Sequence, residues 1–263
     1  MPFSRAFSVF LVSVLALWRP ALCLAEDIHV AVASNFTAPM NDIAAAFERE
    51  STHRVVLSSG SSGKFYAQIR NGAPFQVFLS ADQAKPQALA QEGWTVDDTR
   101  FTYALGALAL WSRDPKRIDP QGQVLREGNF NKLALANPRL APYGVASVEV
   151  LEALALVEAT RSRWVQGENI AQTYQFVHTG NADIGFVALS QVMRDGALKG
   201  GSAWRVPPHH HNPIRQDAVL LKRGADSEGA TALWRFLQSD TAQRIIESYG
   251  YRLPVPEAGA GEP

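Results

Sequence analysis

Cysteine is almost missing from this chain: its 263 residues contain one, Cys23. A single thiol excludes a disulfide framework, a thiolate zinc site and a thiolate-held iron–sulfur cluster. An excess of charge is missing too, with 25 Lys and Arg against 25 Asp and Glu. That balance argues against nucleic acid, which needs a basic face, and against a long-range field as the means of drawing in an anion. Beyond residue 25 no apolar run approaches the roughly 20 residues of a membrane-spanning helix. No G-x-S-x-G occurs either, so the strand-to-helix elbow that presents the nucleophile of many serine hydrolases is absent.

The first 25 residues read as a signal peptide. Arg5 supplies the positive region, residues 7–17 the apolar stretch, and Cys23-Leu24-Ala25 a small-residue cleavage site. Lipidation of Cys23 would need a lipobox, which Pro20-Ala21-Leu22 fits poorly. Cleavage after Ala25 removes the thiol together with Arg5 and Arg19, leaving 23 basic residues against 25 acidic, a net charge of −2. Such a segment directs export, so the expected compartment lies outside the cytoplasm. The remaining length is enough for two lobes of roughly 100 residues each.

Along that length, apolar β-branched runs alternate with helical patterns, which predicts an α/β fold with largely parallel sheets. Strands are expected at 28–33, 54–57, 76–80, 102–111, 132–136, 183–188, 204–206 and 216–221. Helices are expected at 38–50, 62–70, 83–92, 145–159, 169–179, 229–238 and 241–249. Two long apolar strands, the first with Gly106 in mid-run and the second starting at Gln216, read as crossings between lobes. They divide the chain into a terminal lobe, 26–106 plus 216–263, and a middle lobe, 107–215. Closure about such crossings is a known hinge motion.

Two strand-to-helix turns carry the chemistry. Val-Ala-Ser34-Asn35-Phe36 and Ser58-Ser59-Gly60-Ser61-Ser62-Gly63 each end an apolar strand in small hydroxyl or amide residues and open a helix. The first-turn N–H groups of a helix have no intrahelical acceptor and lie at the positive end of its dipole, so such a turn attracts anions. A tetrahedral oxyanion offers only acceptors, and hydroxyls and amides are donors. Charge-assisted hydrogen bonds contribute roughly 1.5–3 kcal/mol each, so about five could hold a dianion without an arginine. Lys64, one residue inside the second helix, reads as part of a solvated face. Asp82 reads as the cap of the helix near Gln83, and Asp183 as a structural residue at a loop-to-strand joint. His209, His210 and His211 alternate in direction along an extended segment and cannot all reach one metal ion. Ser34 and Ser62 could be nucleophiles, but no His or Lys is placed by sequence to activate them.

The order of several short blocks is more specific than any one of them: Ala-Val-Ala-Ser34-Asn35-Phe36, Ser61-Ser62-Gly63-Lys64-Phe65-Tyr66, Leu79-Ser80-Ala81-Asp82, Ala136-Asn137-Pro138, Pro142-Tyr143-Gly144, Glu168-Asn169-Ile170, Asp183-Ile184-Gly185 and Tyr249-Gly250-Tyr251-Arg252-Leu253. In this order the chain resembles the periplasmic molybdate-binding proteins of bacterial ABC importers across essentially its whole length after residue 25. The tyrosine at 143 and alanine at 188 resemble the Azotobacter-type branch. The resemblance implies a two-lobe periplasmic-binding-protein fold (type II) with the ligand in the interlobe cleft. It implies contacts to molybdate or tungstate from Ser34, Asn35 and Ser62 in the terminal lobe, and from the backbone N–H groups of Tyr143 and Ile170 in the middle lobe. It also implies a monomer without a cofactor, not an enzyme, that delivers its anion to a membrane permease. The alternatives are a receptor for sulfate or another small oxyanion on the same fold, and a secreted serine-dependent hydrolase.

Overall fold

The computed structural model describes residues 25–254. The expected signal peptide, with Cys23, and the tail beyond Pro254 lie outside the described residues.

The first strand shows why the sheets form. β1 (Asp27–Ala33) is an apolar run with Val30, Ala31 and Val32 fully buried, because it is paired on both edges and covered on both faces, as parallel strands are. It lies parallel to β2 (Arg54–Gly60) and β3 (Val77–Leu79). The first sheet is completed by β12 (Ile214–Leu220) and β4 (Phe101–Gly106), in the order β2-β1-β3-β12-β4, with β12 antiparallel to both neighbours. The second sheet contains β5 (Leu108–Ser112), β6 (Leu133–Ala136), β7 (Trp164–Gly167), β8 (Ile184–Ala188) and β11 (Ser202–Arg205), in the order β11-β5-β8-β6-β7. A small hairpin, β9 (Met193–Arg194) with β10 (Ala197–Leu198), stands apart.

Helices pack on these sheets. α1 (Thr37–Glu50) buries Met40, Ile43 and Phe47 in a core shared with Ile28, Val30 and Leu233. α2 (Ser62–Arg70) and α3 (Ala84–Gln91) cover the other face through Phe65, Ile69 and Leu89. On the second sheet, α5 (Pro142–Ala153) buries Tyr143, Val150 and Leu151 against Leu108, Leu133 and Phe186, while α7 (Ile170–His178) buries Val177 beside Ala134. Short helices α4 (Gln123–Glu127), α6 (Val157–Arg161) and α8 (Leu189–Val192) fill the connections. α9 (Glu228–Phe236) and α10 (Asp240–Ser248) return to the first sheet.

Four expectations change in detail. The sheets are mixed rather than largely parallel, because β12 and β5 each run antiparallel to both of their neighbours. The single strand 102–111 is two: it breaks at Ala107, so β4 belongs to the first sheet and β5 to the second. The helix expected at 145–159 starts three residues earlier, because Pro142 at its first position is pre-set for helix. It ends at Ala153, and Ala155 at φ 56° separates it from α6. β7 was not expected at all, since its Trp-Val-Gln-Gly is too short and too polar to stand out; parallel pairing with β6 makes it a strand.

Candidate functional site

Backbone register builds the site. Ala33 and Gly60, the last residues of β1 and β2, are partners across the first sheet, and Ala136 and Gly167 are partners across the second. All four are carboxyl ends of parallel strands that lead into helices, the place where open α/β sheets bind ligands. The turns that follow bring Ser34, Asn35, Ser62, Tyr143 and Ile170 to the wall of one cavity. Ser61, Ala81 and Asn169 share that wall. Among the described residues, no Asp, Glu, Lys, Arg or His lines it.

The donors are held in place by their neighbours. Ser62 is 1 % exposed, and its Oγ accepts the Ala81 N–H at 2.9 Å, which leaves the hydroxyl proton free to point elsewhere. Ser34 Oγ accepts the Ala171 N–H from α7 at 3.4 Å and likewise keeps its own proton. Ser61 caps α2 by accepting the Lys64 N–H, and Asn169 caps α7 by accepting the Gln172 N–H. Ser62, Tyr143 and Ile170 occupy first turns, so their N–H groups have no intrahelical acceptor. None of the three has a backbone acceptor among the described residues.

Asn35 differs from expectation. Its amide nitrogen donates to Gln216 Oε1 at 2.8 Å and to Tyr251 Oη at 2.9 Å. Both amide protons are therefore committed, and what Asn35 retains as a donor is its backbone N–H. Tyr143 is also turned inward, its Oη accepting from Gln216 Nε2 at 3.2 Å. Tyr103 donates to Ser80 O and Gln216 Oε1, while Ser190 and Tyr251 both reach Asn35 O. This buried network joins residues of both sheets directly behind the cavity. Gly106 is what admits it, since a Cβ there would lie 2.3 Å from Tyr143 Oη and 2.6 Å from Gln216 Nε2. Sequence reasoning missed Gln216 and Tyr251, although the polar pair Gln216-Asp217 leading into the apolar run 218–220 is a readable signal.

Burial pushes the Tyr103 and Tyr143 phenols well above the ordinary range and Tyr251 up to about 12. The native protein therefore holds these protons more tightly than the unfolded chain. Their contribution to stability is fully present below about pH 10, the ordinary tyrosine value, and is lost as pH rises from there, through about 12 for Tyr251. The thermal midpoint should fall steeply over that window. Phenolate absorbance from at least three of the six tyrosines should appear only as the fold is lost. Ionisation of all six near pH 10 in the folded protein would mean the network is wet.

The two rims of the cavity touch. The Gly63 N–H donates to Leu140 O at 2.9 Å, and Lys64 pairs with Glu168 across the gap. Lys64 thus faces a carboxylate on the surface. The space between the rims is about 10 Å³, room for the centre of one water-sized sphere. A tetrahedral oxyanion is larger, so admitting one requires the rims to part. Beside it, behind Ala81 and Pro142, lies a cleft of about 300 Å³ lined by Asp82, Lys85 and Glu149, charges of both signs.

The other conspicuous residues have local partners. Asp82 accepts the Lys85 N–H and pairs with its ammonium at the start of α3. Asp183 accepts the Asn131 and Lys132 N–H groups at the entry to β6. His209 and His210 pack on each other, His210 also on Trp204, and His211 Nδ1 meets Asn212 O.

Comparison with known proteins shows the family. The family model described as bacterial extracellular solute-binding protein matches residues 28–252. The chain belongs to that family. Among its relatives, the molybdate-binding protein ModA of Azotobacter vinelandii is 55% identical over 229 residues, 87% of this chain and 91% of the relative. ModA of Rhodobacter capsulatus is 46% identical over 247 residues, covering 94% and 96% of the two chains. The solved periplasmic molybdate-binding protein of Azotobacter vinelandii superposes with a TM-score of 0.84 at 39% identity, over 87% of this chain and all of that one. The sulfate-binding protein SubI of Mycobacterium tuberculosis, at 15% identity and a TM-score of 0.71, shares the fold. The two mixed sheets flanked by helices match the fold of the solved molybdate-binding protein.

Proposed function

We propose that this protein is a periplasmic receptor that captures molybdate, and tungstate, between two lobes and delivers it to the membrane permease of an ABC transporter. One observation carries the reading: helix N-termini from both sheets converge on a cavity of neutral donors with, among the described residues, no Asp, Glu, Lys, Arg or His in its wall. The contacts are the hydroxyls of Ser34 and Ser62 and the backbone N–H groups of Asn35, Tyr143 and Ile170. The lobes are 26–106 with 216–263 and 107–215, the second crossing ending where Ile214 and Arg215 already pair with β4. The protein acts as a monomer after loss of residues 1–25, uses no cofactor, binds no nucleic acid and catalyses no reaction. Ser62 Oγ accepts a backbone N–H, and among the described residues no His or Lys lines the cavity beside it, which opposes a hydrolase.

Selectivity follows from protonation and size. Near neutral pH molybdate, tungstate and sulfate are bare dianions, whereas phosphate carries at least one proton. That proton meets no carboxylate acceptor here, and a buried unsatisfied donor costs roughly 1–3 kcal/mol. Sulfate is rejected by its shorter bonds, which leave its oxygens short of the donors.

A thermal-shift panel tests this. A ligand at a hundredfold excess over its dissociation constant adds about 2.7 kcal/mol, which for this size is roughly 5–10 °C. Micromolar molybdate and tungstate should each produce that shift, with phosphate inert and sulfate weak or inert. A shift from sulfate alone would make this a sulfate receptor, and binding of phosphate would place an acidic acceptor in the cavity.

A further inference from the structure

A second pocket lies at the crossings between the sheets, and its chemistry is the opposite of the first. It has a volume of about 360 Å³ and is walled by Leu105 and Gly106 on one crossing and by Val206, Pro208, Pro213 and Ile214 on the other. Arg205, Arg215, Arg252 and His211 line it, and among the described residues no Asp or Glu does. Among the described residues, none of these three arginines has a carboxylate at ion-pair distance, although nine ion pairs occur elsewhere.

Strand register explains how they gather. Arg215 is the partner of Leu105 on β12, and Arg252 is its partner on the opposite edge, bonded through Leu105 N–H to Arg252 O at 2.8 Å and Arg252 N–H to Leu105 O at 3.2 Å. Residues directly opposed in antiparallel pairs project to the same face. Arg215, Leu105 and Arg252 therefore form a row on one face, the two arginines about 10 Å apart, two strand spacings. Both are exposed, whereas Gly106 and Gln216 of the adjacent positions face the buried network. Arg205 approaches from the end of β11. Like charges gathered without a carboxylate at ion-pair distance repel one another, and that cost is relieved when an anion enters. The guanidinium fork matches carboxylate and phosphate oxygens in pairs. Leu105, Val206 and Ile214 supply an apolar floor, and the volume lies in the range of small-molecule sites.

We propose that this pocket is a second anion site, distinct from the molybdate cavity, which binds a small organic or inorganic polyanion bearing two or more carboxylate or phosphate groups. It holds that ligand by charge, so its affinity falls with salt, whereas the neutral-donor cavity does not need a field.

The test is calorimetric titration of the protein lacking residues 1–25 with citrate and with pyrophosphate, each with and without saturating molybdate. Saturable one-to-one binding of either polyanion is expected in both states, weakening as sodium chloride is raised. The Arg215→Gln/Arg252→Gln variant should weaken it at least tenfold while its molybdate response stays that of the parent. Arg205→Gln, at a strand end, should also weaken it and guards against misfolding of the double variant. Absence of saturation by both polyanions, displacement by molybdate, or unchanged affinity in both variants would overturn the proposal. Loss of molybdate binding in the parent protein leaves this test intact, since the arm without molybdate reads the pocket directly.

Discussion

Gly63→Val should all but abolish oxyanion binding while leaving the ligand-free protein about as stable as its parent. A Cβ at Gly63 would stand 2.9 Å from Leu140 O and 3.1 Å from Leu140 Cα. Both are backbone atoms of the opposite rim, so no side chain can swing aside, and the added methyl groups of valine widen the gap further. The Gly63 N–H bond to Leu140 O breaks, and the rims stay apart. An anion seated on Ser34 and Ser62 then loses the Tyr143 and Ile170 N–H groups. Two charge-assisted bonds at roughly 1.5–3 kcal/mol each amount to about 3–6 kcal/mol, or roughly a hundredfold to ten-thousandfold in affinity. Gly63 has an ordinary backbone conformation in the first turn of α2, so the open form takes valine without strain. Titration calorimetry and the ligand-free thermal midpoint, measured together, check this. Parent-like affinity would mean that capture does not need the rims to meet at residue 63.

Ser62→Ala should weaken molybdate binding by roughly tenfold to somewhat over a hundredfold, the loss of one hydroxyl donor worth about 1.5–3 kcal/mol to a desolvated dianion. The Ala81 N–H loses its partner as well, which adds a modest drop in stability. Two comparison variants locate the effect. Tyr143→Phe should change affinity much less, because its Oη is spent on Gln216, behind the cavity; its cost appears as lower stability from the orphaned amide. Lys64→Ala should cost the least, because Lys64 and Glu168 are about half exposed and such pairs contribute roughly 0–1 kcal/mol. If Lys64→Ala proved the most damaging of the three, binding would rest on charge and the neutral-donor account would be wrong.

These expectations mix what could be read from the chain with what could not. The turns at Ser34 and Ser62 were legible because a strand, a run of small polar residues and a helix follow one another locally. The backbone donors at Tyr143 and Ile170 came from resemblance, since a backbone N–H leaves no trace in side-chain identity. Asn35 was misread in part: its amide looks free in sequence, yet Gln216 and Tyr251, 181 and 216 residues away, take both its protons. The strand expected at 102–111 shows the same limit, because a continuous apolar run does not reveal that Ala107 passes from one sheet to another.

By itself, then, the sequence determined the α/β alternation, the helix N-termini that attract an anion and the absence of a charged field to capture it, because these follow from near-neighbour periodicity and composition. The tertiary structure alone decided which strand ends stand abreast, Ala33 with Gly60 and Ala136 with Gly167, and which donors remain unspent. It also decided that Arg215 and Arg252 flank Leu105 on one face. Register and hydrogen-bond partnership are relations between distant segments, and they exist only once packing has chosen which segments meet.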